Sequence, residues 1–142
     1  MRYLFVVLLS LSFASYASDD FGVWATTCDD DGFYFPLEQK TSPLVVNDNQ
    51  IVVSIHSSPI SNGIVDVYFD GPLDLGRGGM NIKWDDMDKT KKIAEFNYNN
   101  ESGYLKWFGF FNKKEGKYVW TKDPDFVQSY SHNGVVRMQK CE

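Results

Sequence analysis

From Phe21 onward the apolar residues come in short bursts, many alternating with polar positions, and almost every burst ends at a cluster of Gly, Asp, Asn or Pro. The bursts are "FGVWATTC", "FYF", "LVV", "IVVSIHS", "IVDVYF", "MNIKW", "IAEFNY", "YLKWFGFF", "YVW", "FVQSY" and "VVRMQKC". Between them lie "DDDG", "NDNQ", "SNG", "DGP", "GRGG", "NNESG", "NKKEGK", "KDPD" and "HNG". A period of two sends successive side chains to opposite faces of a strand, and turn-formers at such even spacing punctuate all-β chains. The pattern predicts an all-β fold, a small antiparallel barrel or sandwich of about eight strands.

Some positions predict more than strand and turn. Gly116 in "NKKEGK" suits a hairpin with a bulge after a type I turn, because glycine enters positive φ cheaply. Pro72 in "DGP" has no N–H for a ladder and is expected to stop a strand. "MNIKW" alternates so that Met80, Ile82 and Trp84 share one face. "YLKWFGFF", read as one strand, puts Tyr104, Lys106, Phe108 and Phe110 on one face and Leu105, Trp107 and Phe111 on the other, with Gly109 marking a bulge or a close backbone approach. The one helix candidate is "DDMDKTKKIAEF", residues 85–96, with acids first and lysines later as the helix dipole prefers, so at most one short helix is expected.

The start of the chain follows a different rule. Arg2 supplies a positive charge, "YLFVVLLSLSF" an apolar run, and "ASYA" a small-residue ending. This is the three-part layout of a secretory signal, and it predicts cleavage before Ser18. The run is shorter than the roughly 20 residues that span a bilayer. The expected organisation is a signal peptide at 1–17 and a single β domain at 18–142, periplasmic or secreted, with no membrane span in the mature form. In that setting Cys28 and Cys141, the only two cysteines, are expected to form one disulfide joining the first strand to the last. Chain entropy assigns such a long loop about 4 to 5 kcal/mol of stabilisation.

Charge narrows the class of partner. The chain carries 14 Lys and Arg against 19 Asp and Glu, for a net −5, which argues against nucleic acid. Residues 18–75 hold ten acids and a single base, Lys40, whereas residues 76–142 hold nine acids and twelve bases. A face that keeps this asymmetry would steer toward a cationic partner; interleaved halves would lose it.

Catalytic and metal-binding patterns are sparse. On the twelve-residue calcium loop, Asp29, Asp31, Gly32 and Glu38 fall at four of the expected positions, but Thr27 stands first and the flanks read as strands. A turn between "WATTC" and "FYF" explains the same residues. His56 and His132, each beside a serine, are the only histidines and match no zinc spacing. No nucleophile elbow occurs, and "GRGG" at 76–79 lacks the Lys-Ser or Lys-Thr that follows in a phosphate loop. No catalysis, metal or cofactor is expected. Arg77, flanked by Gly76 and Gly78, sits instead at a predicted loop tip, where its planar donor fork suits a partner's carboxylates. Exposed aromatic faces would also stack on sugars, and "NES" at 100–102 matches a glycosylation acceptor.

With its signal, "GVW" at 22–24, an early Cys28 and a final Cys141, the chain resembles small bacterial periplasmic β-proteins, including lysozyme inhibitors and immunity proteins against exported wall-degrading toxins. "ESGYLKWFGFF…GKYVWTK" is similar to the late strands of membrane-associated lysozyme-inhibitor barrels. The serine-rich inhibitory loop of that family has no counterpart here, so no functional residue transfers. The resemblance implies a protein-binding module that occludes a basic cell-wall-degrading enzyme. The alternatives are a lipocalin-like carrier of a small apolar ligand or sugar, and a small hydrolase.

Overall fold

In β4 (Ile51–Ser61) the side chains of Ile51, Val53, Ile55 and Ser57 are buried while Val52, Ser54 and His56 between them are not, so the alternation read from sequence is the alternation of inside and outside. The same rule holds in β3 (Ser42–Asn47), β7 (Ser102–Trp107) and β11 (Val135–Cys141). The computed structural model describes residues 21–47, 51–61 and 63–141; the expected leader at 1–17 lies outside them. With β1 (Val23–Ala25), β2 (Tyr34–Phe35), β5 (Ile64–Asp74) and β6 (Lys92–Asn99), these strands form an antiparallel sheet in the order β2-β1-β11-β7-β6-β5-β4-β3. The sheet curls into a nearly closed eight-stranded barrel. A separate hairpin, β8 (Phe110–Asn112) with β9 (Lys117–Val119), and a short β10 (Ser131–His132) beside β11 complete the strands.

Aromatic rings fill the interior. Trp24 meets Phe96 edge-on at 5.1 Å, and Phe69, Trp84 and Phe110 form a second group with centroids 5.3–5.7 Å apart. The first and last strands lie side by side, with Val23 opposite Cys141, and the Cys28–Cys141 disulfide clamps the turn after β1 to the end of β11. The expected staple is formed.

Several turns behave as their residues dictate. Gly116 has φ +64 and donates to the Asn112 carbonyl, while Asn112 Oδ1 accepts from the backbone of Lys114 and Glu115, closing the β8–β9 hairpin. Asn133 and Gly134 both have positive φ in the two-residue link between β10 and β11, as a type I′ turn requires. Gly109 has φ +99, and a β-carbon there would run into the Val119 carbonyl, which is the close approach expected.

Four local expectations are corrected. Residues 104–111 are two strands rather than one: the break at Gly109 resets the alternation, so Phe110 joins Leu105 and Trp107 in the core and Phe111 turns outward. Pro72 does not end β5; the strand continues to Asp74, with irregular register opposite Val52–Ile55. "MNIKW" forms no strand: Met80 is 68% exposed, and Trp84 opens a 3-10 turn (Trp84–Asp86) with its ring in the core. Finally, the described residues hold two short α-helices where at most one was expected, neither filling residues 85–96. They are α1 (Gly76–Gly79) and α2 (Asp125–Tyr130). Lysines 91 and 92 and Ile93 are drawn instead into the approach and start of β6, whose ladder with β5 and β7 outcompetes a short polar helix.

Candidate functional site

The Asp-rich turn that invites a calcium reading is organised by its own backbone. Asp29 Oδ1 accepts from the Thr27 hydroxyl at 2.7 Å and from the Asp31 N–H at 3.2 Å, and Gly32 N–H donates to the Asp29 carbonyl. A side chain at Gly32 would collide with the Thr27 backbone. This stretch builds the β1–β2 turn and carries the staple.

Arg77 is presented from a pinned segment, not from the tip of a flexible loop. The chain leaves β5 at Asp74, whose Oδ1 accepts from the Gly76 N–H at 3.1 Å, and Gly76 adopts φ +49. Gly79 N–H donates to the Leu75 carbonyl at 2.7 Å, and the Trp84 indole N–H donates to the Gly79 carbonyl at 2.9 Å. Gly79 is buried, its α-carbon held close to Ile51 and Leu75 where a methyl group would be crowded. These contacts fasten one side of α1 to the barrel, leaving Arg77 and Gly78 exposed on the other. Leu73 at 60% exposure and Met80 at 68% flank the segment. Among the described residues Arg77 makes no ion pair. Gly76, Gly78 and Arg77 are thus brought together as the sequence placed them, with Leu73 and Met80 added by the fold.

A second assembly lies on the outer face of β4, β5 and β6, and its pairings leave no mark in the residue pattern. His56 Nδ1 lies 2.7 Å from Asp70 Oδ1, and the imidazole stacks on Tyr68 across the strand pair at 5.4 Å. The His–Asp half of a hydrolytic triad is therefore present, but among the described residues no hydroxyl bonds to His56, and His132 is exposed at the end of β10, on another strand. Beside this pair, Lys92 Nζ bridges Glu95 at 2.9 Å and Asp66 at 3.1 Å. The hydrogen bond to Glu95 raises the Lys92 ammonium above its usual range, and the same bond, with one from Asn97, lowers the Glu95 carboxyl. Asp66 belongs to the acidic half of the sequence and Lys92 to the basic half, so the sheet interleaves the two.

The interior that a lipocalin-like carrier keeps open is occupied here by packed rings. Phe96 covers Gly103, where a β-carbon would also come within 2.9 Å of Trp24. A cleft beside Trp107 is lined by Thr121, Val127 and Asn133. Comparison with family models, curated proteins and solved structures finds no match.

Proposed function

We propose that this protein is an exported binding module that occludes a basic, cell-wall-degrading enzyme. The observation that carries the reading is Arg77, an exposed guanidinium without an ionic partner among the described residues, held on a fastened turn between two exposed apolar side chains. A cation with flanking apolar contacts suits a cleft lined by carboxylates, and a turn already held by Asp74, Gly79 and Trp84 loses little freedom on docking. The terminal disulfide supports an oxidising compartment. Among the described residues no helix is long and apolar enough to cross a membrane. The net charge of −5 favours encounter with a cationic surface.

Titrating the protein into lysis assays with a panel of basic exported muramidases and peptidoglycan hydrolases tests the reading. Stoichiometric loss of lysis, relieved by salt and by Arg77→Glu, is the expected result. Undiminished lysis across the panel at excess protein would overturn it.

A further inference from the structure

The barrel is not quite closed, and the two strands at its seam are unequal. Among the described residues, β2 pairs only with β1, and β3 only with β4. Proline is tolerated inside a ladder where its nitrogen faces away from the paired strand, so Pro43, opposite Ser54, points its nitrogen into the seam. The register runs without a break from Pro43 to Val45, opposite Val52. Two residues on, the Val45 N–H and carbonyl therefore face the seam as well, and no backbone hydrogen bond from Val45 toward β2 or α2 is formed. A strand edge of this kind is a template for one more strand.

Beside this edge runs a groove of about 370 Å³. Its apolar wall is Phe126 of α2, whose ring stacks on Phe33 at 4.5 Å, so the helix seals the barrel beneath the seam without pairing either edge. Tyr34, Val45 and Tyr130, all exposed, stand around it. Among the described residues, Asp31 and Asp125 are its charged lining residues, and neither Lys nor Arg lines it.

We propose that this groove takes an extended, lysine- or arginine-bearing segment of a protein partner, which adds along β3 and fills the seam. Backbone hydrogen bonds to Val45 supply strand addition, Tyr34 and Tyr130 cover alternate side chains, and Asp31 selects cationic residues over acidic ones. The surface shares no lining residue with the Arg77 turn, so the two proposals fail independently.

The probe is a capped hexapeptide alternating lysine and valine, titrated into the full protein while the Val45 amide resonance is followed. The expected result is a saturable shift of Val45 that vanishes for the glutamate–valine peptide and for a lysine–valine peptide N-methylated at alternate bonds. Affinity falls at least about fivefold with Val45→Pro and with Asp31→Lys, and is unchanged with Arg77→Ala. The N-methylated peptide decides the matter even if Val45→Pro disturbs folding. A silent Val45 amide, or equal binding of the N-methylated peptide, would overturn the proposal. So would a concentration-dependent dimer that shifts Val45 without peptide, because the occupant would then be a second copy of the chain.

Discussion

The ring of Phe96 on β6 lies over the α-carbon of Gly103 on the adjacent β7, in the space a side chain at residue 103 would need. Gly103 is thus the small partner that lets Phe96 and Trp24 meet in the core. Gly103→Ala adds a methyl group where neither ring has room to retreat. Overpacking of this kind costs about 1–3 kcal/mol, and thermal unfolding should register it as a midpoint lower by a few degrees for each kcal/mol. An unchanged midpoint would mean that the two rings repack freely.

The staple between Cys28 and Cys141 joins positions 113 apart, so it constrains nearly the whole unfolded chain. Reduction, or the paired change Cys28→Ser with Cys141→Ser, should lower stability by about 2–5 kcal/mol in denaturant titrations. The β-type circular dichroism of the remaining folded fraction should persist, since Val23–Ala25 still pair with Gln139–Cys141 through the ladder.

On the proposed function, Arg77 serves recognition and adds little to the fold. It is exposed and free of ion pairs among the described residues, so Arg77→Glu should change stability by no more than about 0.5 kcal/mol while abolishing capture of a basic enzyme. Gly79→Val acts through the fold instead: it crowds Ile51 and Leu75, and stability should fall together with binding.

Lys92 joins two carboxylates on the outer face, and Asp66 beneath it is buried. Lys92→Ala leaves that carboxylate without its cation and should cost about 1–3 kcal/mol. The titration of Glu95 gives an independent readout. Its folded carboxyl is held below the ordinary value chiefly by Lys92, so its stabilising effect is present above the ordinary glutamate range and is lost as pH falls through the lowered folded value. Lys92, raised above its ordinary value, contributes below that value and loses its contribution as pH rises through the folded one. In Lys92→Ala the Glu95 carboxyl resonance should titrate closer to the ordinary range, and the acid limb of the stability curve should lose Glu95's share.

Much of this molecule is local and therefore legible in its residues. Alternation in "IVVSIHS" and "VVRMQKC" places the correct side chains inward, and Gly109 and Gly116 announce backbone conformations that other residues resist. "FVQSY" reads as a strand but forms most of α2, because a short, partly apolar stretch of this length fits either a strand or a helix turn. The available signal was upstream: Pro124 followed by Asp125 is a helix opening, and the Pro124 carbonyl does accept from Val127 and Gln128. "GRGG" carried no such signal, since glycine disfavours helix; α1 exists because Gly79 fits against Ile51 and hydrogen-bonds Trp84.

The sequence by itself determined the all-β class, the turns at Gly116 and at Asn133–Gly134, and the pair of cysteines able to close the chain, because strand period, positive φ and thiol count are properties of short stretches or of composition. Only the tertiary structure decided that the sheet curls into a barrel with an open seam, that His56 meets Asp70 and Lys92 meets Asp66, and that Arg77 stands on a fastened turn. Those facts depend on strand order and register across long separations, and a shift of one residue in register would send every side chain of a strand to the opposite face.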